Sequence, residues 1–228
     1  MQEPPGGLAA SIVERLLEWW RRNKRSFPWR ETGDPYRLLL AAILLRKTRA
    51  ENVAPVYAAL VERYPEPQRL AEASVEELEE LLRPLGLHRT RARQLARLAR
   101  ELVERYGGRV PCAPEELAGL PGVGPYAANV VGAAACGRRV AAVDVNVARV
   151  VSRLFGVKPR RAPHLDEAVL EAAQRLVEAG PPRDVNLALM DLSAKLCRPR
   201  RPRCWECPLR ELCSYAGSQA ASRGAQGR

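Results

Sequence analysis

The sequence predicts an all-α fold, and two observations carry that prediction. Apolar residues recur at helical spacing through most of the 228 residues, and no apolar–polar alternation of the kind found in strands lasts beyond a few residues. The 46% of residues that are hydrophobic are mainly Leu, Ala and Val, with only two Phe and six Tyr, which favours an aliphatic helical core. We therefore expect a helical chain that is long enough to bury its own core.

The first helices follow from the positions of proline and glycine. An amphipathic stripe from Leu8 to Trp20 predicts the first helix, and the segment SFPWRETGDPY, with its Pro and Gly residues, ends it. From about Tyr36 the run LLLAAILLRKT is apolar on nearly every side, which predicts a central, buried helix that continues through Thr48.

The later helices are equally regular. Further helices are expected near 50–63, near 74–82 with a capping box at Ser74 and Glu77, and along the amphipathic stretch that ends at Gly107. The rest of the chain is predicted to form five helical segments, which are, in order, APEELAGL, PYAANVVGAAACG, VDVNVARVVSRLFG, HLDEAVLEAAQRLV and VNLALMDLSAKLC. A PGVG turn joins the first two of them. The final dozen residues have the composition of a disordered tail.

The charge of the chain favours a polyanionic partner. Thirty-seven Lys and Arg against 26 Asp and Glu give a formal net charge of +11, and neutralising phosphates releases condensed counterions. An arginine-rich solvated surface is the alternative. No apolar run is long enough for a membrane-spanning helix, and the first residues lack the basic start and apolar stretch of a secretory signal. We expect a cytoplasmic, nucleoid-associated chain without a membrane partner.

Four cysteines near the end of the sequence have the spacing of metal ligands. Cys197, Cys204, Cys207 and Cys213 are separated by six, two and five residues. In a chain expected to be intracellular, such thiols indicate ligands rather than disulfides. Zinc and a 4Fe–4S cluster both accept four thiolates, but structural zinc prefers two short pairs and this segment has one, so the spacing favours iron–sulfur. Cys136 is expected in the core, and Cys112 has no visible role.

Two further segments are candidates for binding and catalysis. In LPGVGPYAANVV, Gly122 and Gly124 allow the backbone to approach a ligand closely, and the N–H groups at the new helix start form an anion site suited to a DNA phosphate. The alternative is an ordinary helical hairpin with glycines for packing. Asp144 follows an apolar run and precedes a helix, where it is a natural N-cap. Its place between the hairpin and the cysteines favours a catalytic role as well.

Together these motifs resemble the endonuclease III superfamily of helix–hairpin–helix DNA glycosylases. The markers LPGVGPYAANVV, VDVNVARV and Cys-x6-Cys-x2-Cys-x5-Cys occur in that order, and the resemblance extends from FPWR to CSY. The chain is similar in particular to the mismatch-specific thymine glycosylases, relatives of the MutY-type adenine glycosylases. The resemblance implies a six-helix barrel that bears the hairpin, a helical cluster subdomain, and a cleft between them in which DNA presents a flipped nucleotide.

The resemblance also implies domain boundaries. Residues 1–34 would form an N-terminal helix that belongs to the cluster subdomain, and residues 35–141 would form the barrel. Residues 142–215 would complete the cluster subdomain, and residues 216–228 would be the disordered tail.

The resemblance assigns roles to individual residues. Asp144 occupies the position of the carboxylate that stabilises positive charge on the sugar. Tyr126 stands where the endonuclease III branch has a lysine, and a phenol cannot form the Schiff base of a lyase, so the enzyme is expected to hydrolyse only the glycosidic bond. Lys47 and Leu87 match the positions that fill the emptied stack and probe the opposite base. The expected DNA contacts are Arg46, Lys47, Leu87, Gly122, Val123, Gly124 and Asn146.

One residue departs from the pattern. The adenine and thymine branches carry a glutamate at the position of Ala42, and that acid assists the departing base. Its loss argues against adenine chemistry, since adenine leaves poorly without protonation. The expected function is hydrolysis of thymine or uracil mispaired with guanine in double-stranded DNA by a monomer. Ala42 leaves open a slower enzyme, one restricted to uracil, or a pocket widened for a modified base. The alternatives are adenine excision opposite 8-oxoguanine and non-catalytic DNA binding.

Overall fold

A computed structural model describes residues 5–218, and within this range the chain is helical with no β-strand. The predicted all-α class is confirmed. In chain order the helices are α1 Pro5–Asn23, α2 Pro35–Leu44, α3 Ala50–Arg63, α4 Pro67–Glu72, α5 Val75–Leu82, α6 His88–Tyr106, α7 Pro114–Gly119, α8 Pro125–Ala135, α9 Val145–Phe155, α10 Glu167–Glu178 and α11 Pro182–Lys195. None of these helices is long and apolar enough to cross a membrane.

The chain divides into two compact units. Residues 26–138 form one of them, called here the hairpin unit, and the residues up to Arg25 together with those from Arg139 onward form the other, called the cysteine unit. The sequence placed these boundaries after residues 34 and 141. Of the tail expected at residues 216–228, only residues 216–218 lie in the described range, where they belong to a helical turn over 214–218.

The hairpin unit is built around α2. Every residue from Leu38 to Leu44 is buried, and α2 packs against α3, α6 and α8. The expectation of a central buried helix is correct, but α2 ends at Leu44 and does not continue through Thr48. The reason is that Lys47 adopts a left-handed backbone conformation, with φ of 57°, which an α-helix does not contain. The segment after α2 is therefore an exposed loop.

The cysteine unit joins the first helix to the last. Helix α1 packs against α10 and α11, and α9 packs against the same two helices. The carboxylate of Asp191, which is fully buried, accepts hydrogen bonds from Trp20 Nε1 at 2.9 Å and from Arg25 Nε at 2.6 Å. A buried charge is stable only when it is paired and hydrogen-bonded, so these contacts hold α1 in the unit.

The structure corrects the interpretation of two cysteines. Cys112 and Cys136 form a disulfide, with 24 residues of sequence separation. Cys136 lies half-buried at the end of α8 and Cys112 is exposed, so the expectation of a core position for Cys136 is wrong. The pairing arises because α7 and α8 pack against each other, which brings Cys112, before α7, close to Cys136, after α8. The bond therefore closes a loop that contains the whole hairpin.

Candidate active site and cysteine loop

The turn between α7 and α8 is fixed by its apolar residues and by one glycine. Leu120 and Val123 are buried, at 2% and 6% exposure. Gly122 has a φ of +78°, and a Cβ on it would lie 3.3 Å from the side chain of Gln94. The positive φ strongly favours glycine at this position, and the close approach of the Gln94 side chain adds to that preference.

Gly124 is a different case. Its backbone is extended, and a Cβ built on it would meet nothing within 4 Å. It is the N-cap of α8 and provides no side-chain cap, so the first amides of this helix depend on other acceptors. The fold itself leaves space beside Gly124, at a helix start that favours an anion.

Three of the predicted DNA-binding residues lie in two other loops of the hairpin unit. Arg46 is exposed, and its guanidinium donates a hydrogen bond to the carbonyl oxygen of Gly122 at 3.2 Å. The next residue, Lys47, is also exposed. Leu87 has 59% of its surface exposed, a large value for leucine. The structure thus places Arg46, Lys47, Leu87 and the hairpin residues in the same unit.

Tyr126 and Ala42 lie on two helices that pack against each other. Tyr126 is the second residue of α8 and is half-buried, whereas Ala42 is 7% exposed near the end of α2. The small side chain of Ala42 is thus part of the packed interior beneath α8.

Asp144 is the N-cap of α9, as the sequence predicted. Its Oδ1 accepts hydrogen bonds from the backbone N–H groups of Asn146 at 2.9 Å and of Val147 at 2.8 Å. Its Oδ2 accepts a third, from Asn146 Nδ2 at 2.8 Å. All three donors are neutral, and the side chain is half-buried. The carboxylate is therefore fixed in orientation by groups that do not cancel its charge.

A chain of hydrogen bonds connects Asp144 to the first cysteine of the cysteine loop. Asn146 Oδ1 accepts from the Arg149 guanidinium at 3.0 Å, and Arg149 Nε donates to the carbonyl oxygen of Cys197 at 2.9 Å. Sequence reasoning named Asn146 as a DNA contact and missed Arg149. The available signal was their spacing, because residues three apart share one face of a helix.

Asn186 was also missed. It is 4% exposed in α11, its Oδ1 accepts from the backbone N–H of Ala142 at 2.8 Å, and its Nδ2 donates to the carbonyl oxygen of Val140 at 3.0 Å. These bonds fix the extended segment that leads into Asp144. Asn186 thus fixes the residues before Asp144, and the first residues of α9 bind its carboxylate.

The four cysteines of the loop surround a single cavity. Cys197, Cys204, Cys207 and Cys213 are half-buried, are free of disulfides and line the cavity together with Tyr215. Burial raises the pKa of the Cys207 thiol to about 11, and it also raises the pKa of the Cys204 thiol. Within residues 5–218, no group of three or more His, Cys, Asp or Glu is arranged for a single metal ion. Four thiols around one cavity are the donor set that an iron–sulfur cluster uses.

Arg153 organises the first half of this loop. Its guanidinium donates to Cys197 Sγ at 3.5 Å, to the carbonyl oxygen of Arg198 at 2.7 Å and to that of Pro199 at 3.0 Å. It also lies over the ring of Tyr215, 4.8 Å from the centroid. One side chain from α9 therefore holds both ends of the cysteine loop.

Comparisons with known proteins agree with this arrangement. Residues 40–182 match the model of the HhH-GPD superfamily of base excision DNA repair proteins, and residues 197–213 match the iron–sulfur binding domain of endonuclease III. The chain is 43% identical to a thymine-DNA glycosylase of Aeropyrum pernix, over 92% of this chain and 96% of that protein. It is 41% identical to a thymine/uracil-DNA glycosylase of Pyrobaculum aerophilum, over 90% and 91%.

A solved structure shows the same fold. The structure of a thermostable thymine-DNA glycosylase superposes with a TM-score of 0.86 and 38% identity, over 92% of this chain and 97% of that one. The helix–hairpin–helix glycosylase fold is confirmed. The cofactor is a 4Fe–4S cluster, and the cysteine donor set fits it. Cys197, Cys204, Cys207 and Cys213 would hold such a cluster through their thiolates.

The contacts of Arg153 predict a role in retaining the cluster. Replacing Arg153 with Met removes the donor to Cys197 Sγ and releases the loop carbonyls, and loss of such outer partners costs about 10- to 100-fold in metal affinity. We expect visible absorbance to bleach about tenfold faster in the presence of a chelator. Arg175→Met, an exposed change on α10 of the same unit, is the control. Equal bleaching rates for the two variants would contradict the assignment.

Proposed function

We propose that the chain, which belongs to the HhH-GPD superfamily of base excision DNA repair proteins, acts as a monomeric glycosylase that removes thymine or uracil paired with guanine in double-stranded DNA. The names of its relatives support the choice of pyrimidine. The observation that carries the proposal is the Asp144 carboxylate, which neutral donors fix at the start of α9. The proposed site of action is chromosomal DNA.

The reaction requires a charge of the sign that Asp144 supplies. Breaking the N-glycosidic bond builds positive charge on the sugar and negative charge on the departing base. A fixed carboxylate stabilises the positive sugar and can align and deprotonate the attacking water. Because Oδ2 accepts one hydrogen bond from Asn146, it retains lone-pair capacity for that water.

The second residue of α8 determines whether the DNA strand is cut after the base is released. Tyr126 carries a phenol and no amine, so it cannot form the imine through which a lysine cuts the strand by elimination. We therefore propose a monofunctional enzyme that leaves an abasic site in an intact strand.

The hairpin unit supplies the proposed grip on DNA. The first amides of α8 have no side-chain cap, and Gly124 leaves space for a phosphate oxygen to approach them. Phosphate contacts of this kind are independent of sequence. The exposed side chains of Lys47 and Leu87 are proposed to enter the stack where the target nucleotide has left.

Ala42 bears on the choice of base. A methyl group cannot donate a proton to the departing base, so the leaving group must be stable as an anion held by hydrogen bonds. Uracil and thymine meet that requirement better than adenine. Since uracil lacks the electron-donating methyl group of thymine, we propose that it is released faster.

A gel assay on labelled duplexes tests the proposal. We expect alkali-labile product from U·G and T·G duplexes, with the U·G rate higher, and none from U·A, T·A or A·8-oxoguanine duplexes. Because Tyr126 has no amine, strand breaks should appear only after alkali treatment. Absence of product on both G mispairs would refute the substrate, and breaks without alkali would refute the monofunctional assignment.

The proposed role of Asp144 is separable from its role as a helix cap. Asn is as good an N-cap as Asp, so Asp144→Asn should cost no more than about 1 kcal/mol in the free energy of unfolding. It should nevertheless slow single-turnover base release by about 100-fold or more, because the negative charge is gone. DNA binding should persist. Asp166→Asn, at the start of α10, is the matched control and should keep its turnover. An active Asp144→Asn enzyme would contradict the mechanism.

Restoring an acid at residue 42 tests the effect of Ala42. The Ala42→Glu variant should raise the T·G rate more than the U·G rate, since the poorer leaving group gains more from a proton donor, and general-acid help is worth about 100-fold or more. Ala42→Gln, which adds the same volume without an acid, is the control. A melting curve confirms that each variant folds. Equal gains for Glu and Gln would show that the acid plays no part.

A further inference from the structure

The two residues proposed to enter DNA share an unusual backbone conformation. Among the non-glycine residues that the structure describes, Lys47, Leu87 and Arg201 have positive φ, with values of 57°, 51° and 50°. Residues other than glycine rarely adopt this backbone conformation, and it persists only where contacts with the surrounding structure impose it. The loops of Lys47 and Leu87 must therefore be held by contacts from elsewhere in the hairpin unit.

One buried side chain contacts both loops. Arg91, in the first turn of α6, is 3% exposed. Its Nη1 donates to the carbonyl oxygens of Leu85 at 3.0 Å and Gly86 at 2.8 Å, immediately before Leu87. Its Nη2 donates to the carbonyl oxygen of Arg46 and to Thr48 Oγ1 at 2.7 Å, on either side of Lys47. The same guanidinium thus borders both left-handed residues.

The loops also contact each other and the hairpin turn. Thr48 Oγ1 lies 3.4 Å from the carbonyl oxygen of Leu85, and the Arg46 side chain donates to the carbonyl oxygen of Gly122. Gln94, one turn after Arg91 on α6, packs beneath Gly122. Side chains of α6 therefore contact both loops and the hairpin turn.

We infer that Arg91 is a positioning residue that holds the Lys47 and Leu87 loops in the geometry in which their side chains enter the DNA stack. The inference rests on the proposed function, because it gives these two side chains a common task. Arg91 itself is 3% exposed, so its proposed action is through the two loops that it contacts. It acts by fixing the distance and orientation between two probes that belong to different loops.

The chemistry of guanidinium explains why an arginine occupies this position. All four described partners are neutral oxygens, three of them carbonyls, and a planar fork of donors can reach oxygens on two loops at once. Burial, and then the charge of Arg46, lower the pKa of Arg91, yet a guanidinium stays protonated in proteins. An apolar side chain of the same length would leave the loop carbonyls without donors.

Hydrogen exchange of the purified protein tests the clamp directly, without any need for activity. Thr48 and Gly86 donate their amide protons within their own loops, to the carbonyl oxygens of Leu45 and Arg83. In Arg91→Met these two amides should exchange about tenfold faster or more, while amides in α3 and α8 stay unchanged. Arg100→Met, an exposed change on the same helix, should leave all of them unchanged. Unchanged exchange in either loop of Arg91→Met would overturn the inference.

Base release from two uracil substrates then distinguishes positioning from general damage. For Arg91→Met, release from a U·G duplex should fall by about tenfold or more, because the probes no longer enter the stack together. Release of an unpaired uracil in a single-nucleotide bulge should change little, since that base is already extruded. Equal losses on both substrates would mean a merely structural role and would overturn the inference.

Arg91→Lys keeps the charge and provides a second test if the Met variant does not fold. With three donors on one nitrogen it should recover part of the U·G rate and of the amide protection, and a variant no better than Met in a folded state would count against the clamp. If the wild-type protein releases uracil from neither substrate, the proposed function fails, while the exchange experiment still decides whether Arg91 holds the two loops.

Discussion

The proposed chemistry depends on the carboxylate of Asp144, which neutral donors hold in place. A salt bridge would fix Asp144 equally well, but it would cancel the charge that a positive sugar needs. The helix start avoids this conflict, because the backbone amides of Asn146 and Val147 bind the carboxylate as neutral donors. The surrounding residues maintain this arrangement. Asn186 fixes the segment that precedes Asp144. Arg149 orients Asn146, whose side chain supplies the third hydrogen bond to the carboxylate.

Arginine performs the same structural task at several places in the two units. The guanidinium groups of Arg91, Arg149 and Arg153 all donate to backbone carbonyls of loops. A carbonyl accepts a hydrogen bond and leaves the positive charge in place, whereas a carboxylate would cancel it. Among the described residues, these loops are thus fixed without an acidic partner for each arginine, in a chain whose formal net charge is +11. For a protein that binds a polyanion, internal cations that remain uncancelled add to the attraction.

Features set by local sequence could be predicted, and features set by distant contacts could not. The Ser74 capping box, the Gly107 helix stop and the Asp144 cap each depend on residues within one turn, and all three are present. The loop that follows α2 depends on Arg91, which is remote in sequence and donates to the carbonyl oxygen of Arg46. The Cys112–Cys136 disulfide likewise depends on how α7 and α8 pack. Asn186 has no local pattern that sets it apart, whereas Arg149 is marked only by its spacing of three residues from Asn146.

The two glycines of the hairpin turn, Gly122 and Gly124, have different structural constraints. Gly122 is favoured by the protein itself, since its φ is positive and a Cβ would lie only 3.3 Å from the Gln94 side chain. Gly124 is not, because its backbone is extended and its surroundings are open. A glycine that the fold does not need, at a helix start with no side-chain cap, agrees with the proposed approach of a DNA phosphate to the backbone. The first amides of α8 and the positive end of its dipole favour an anion at this position.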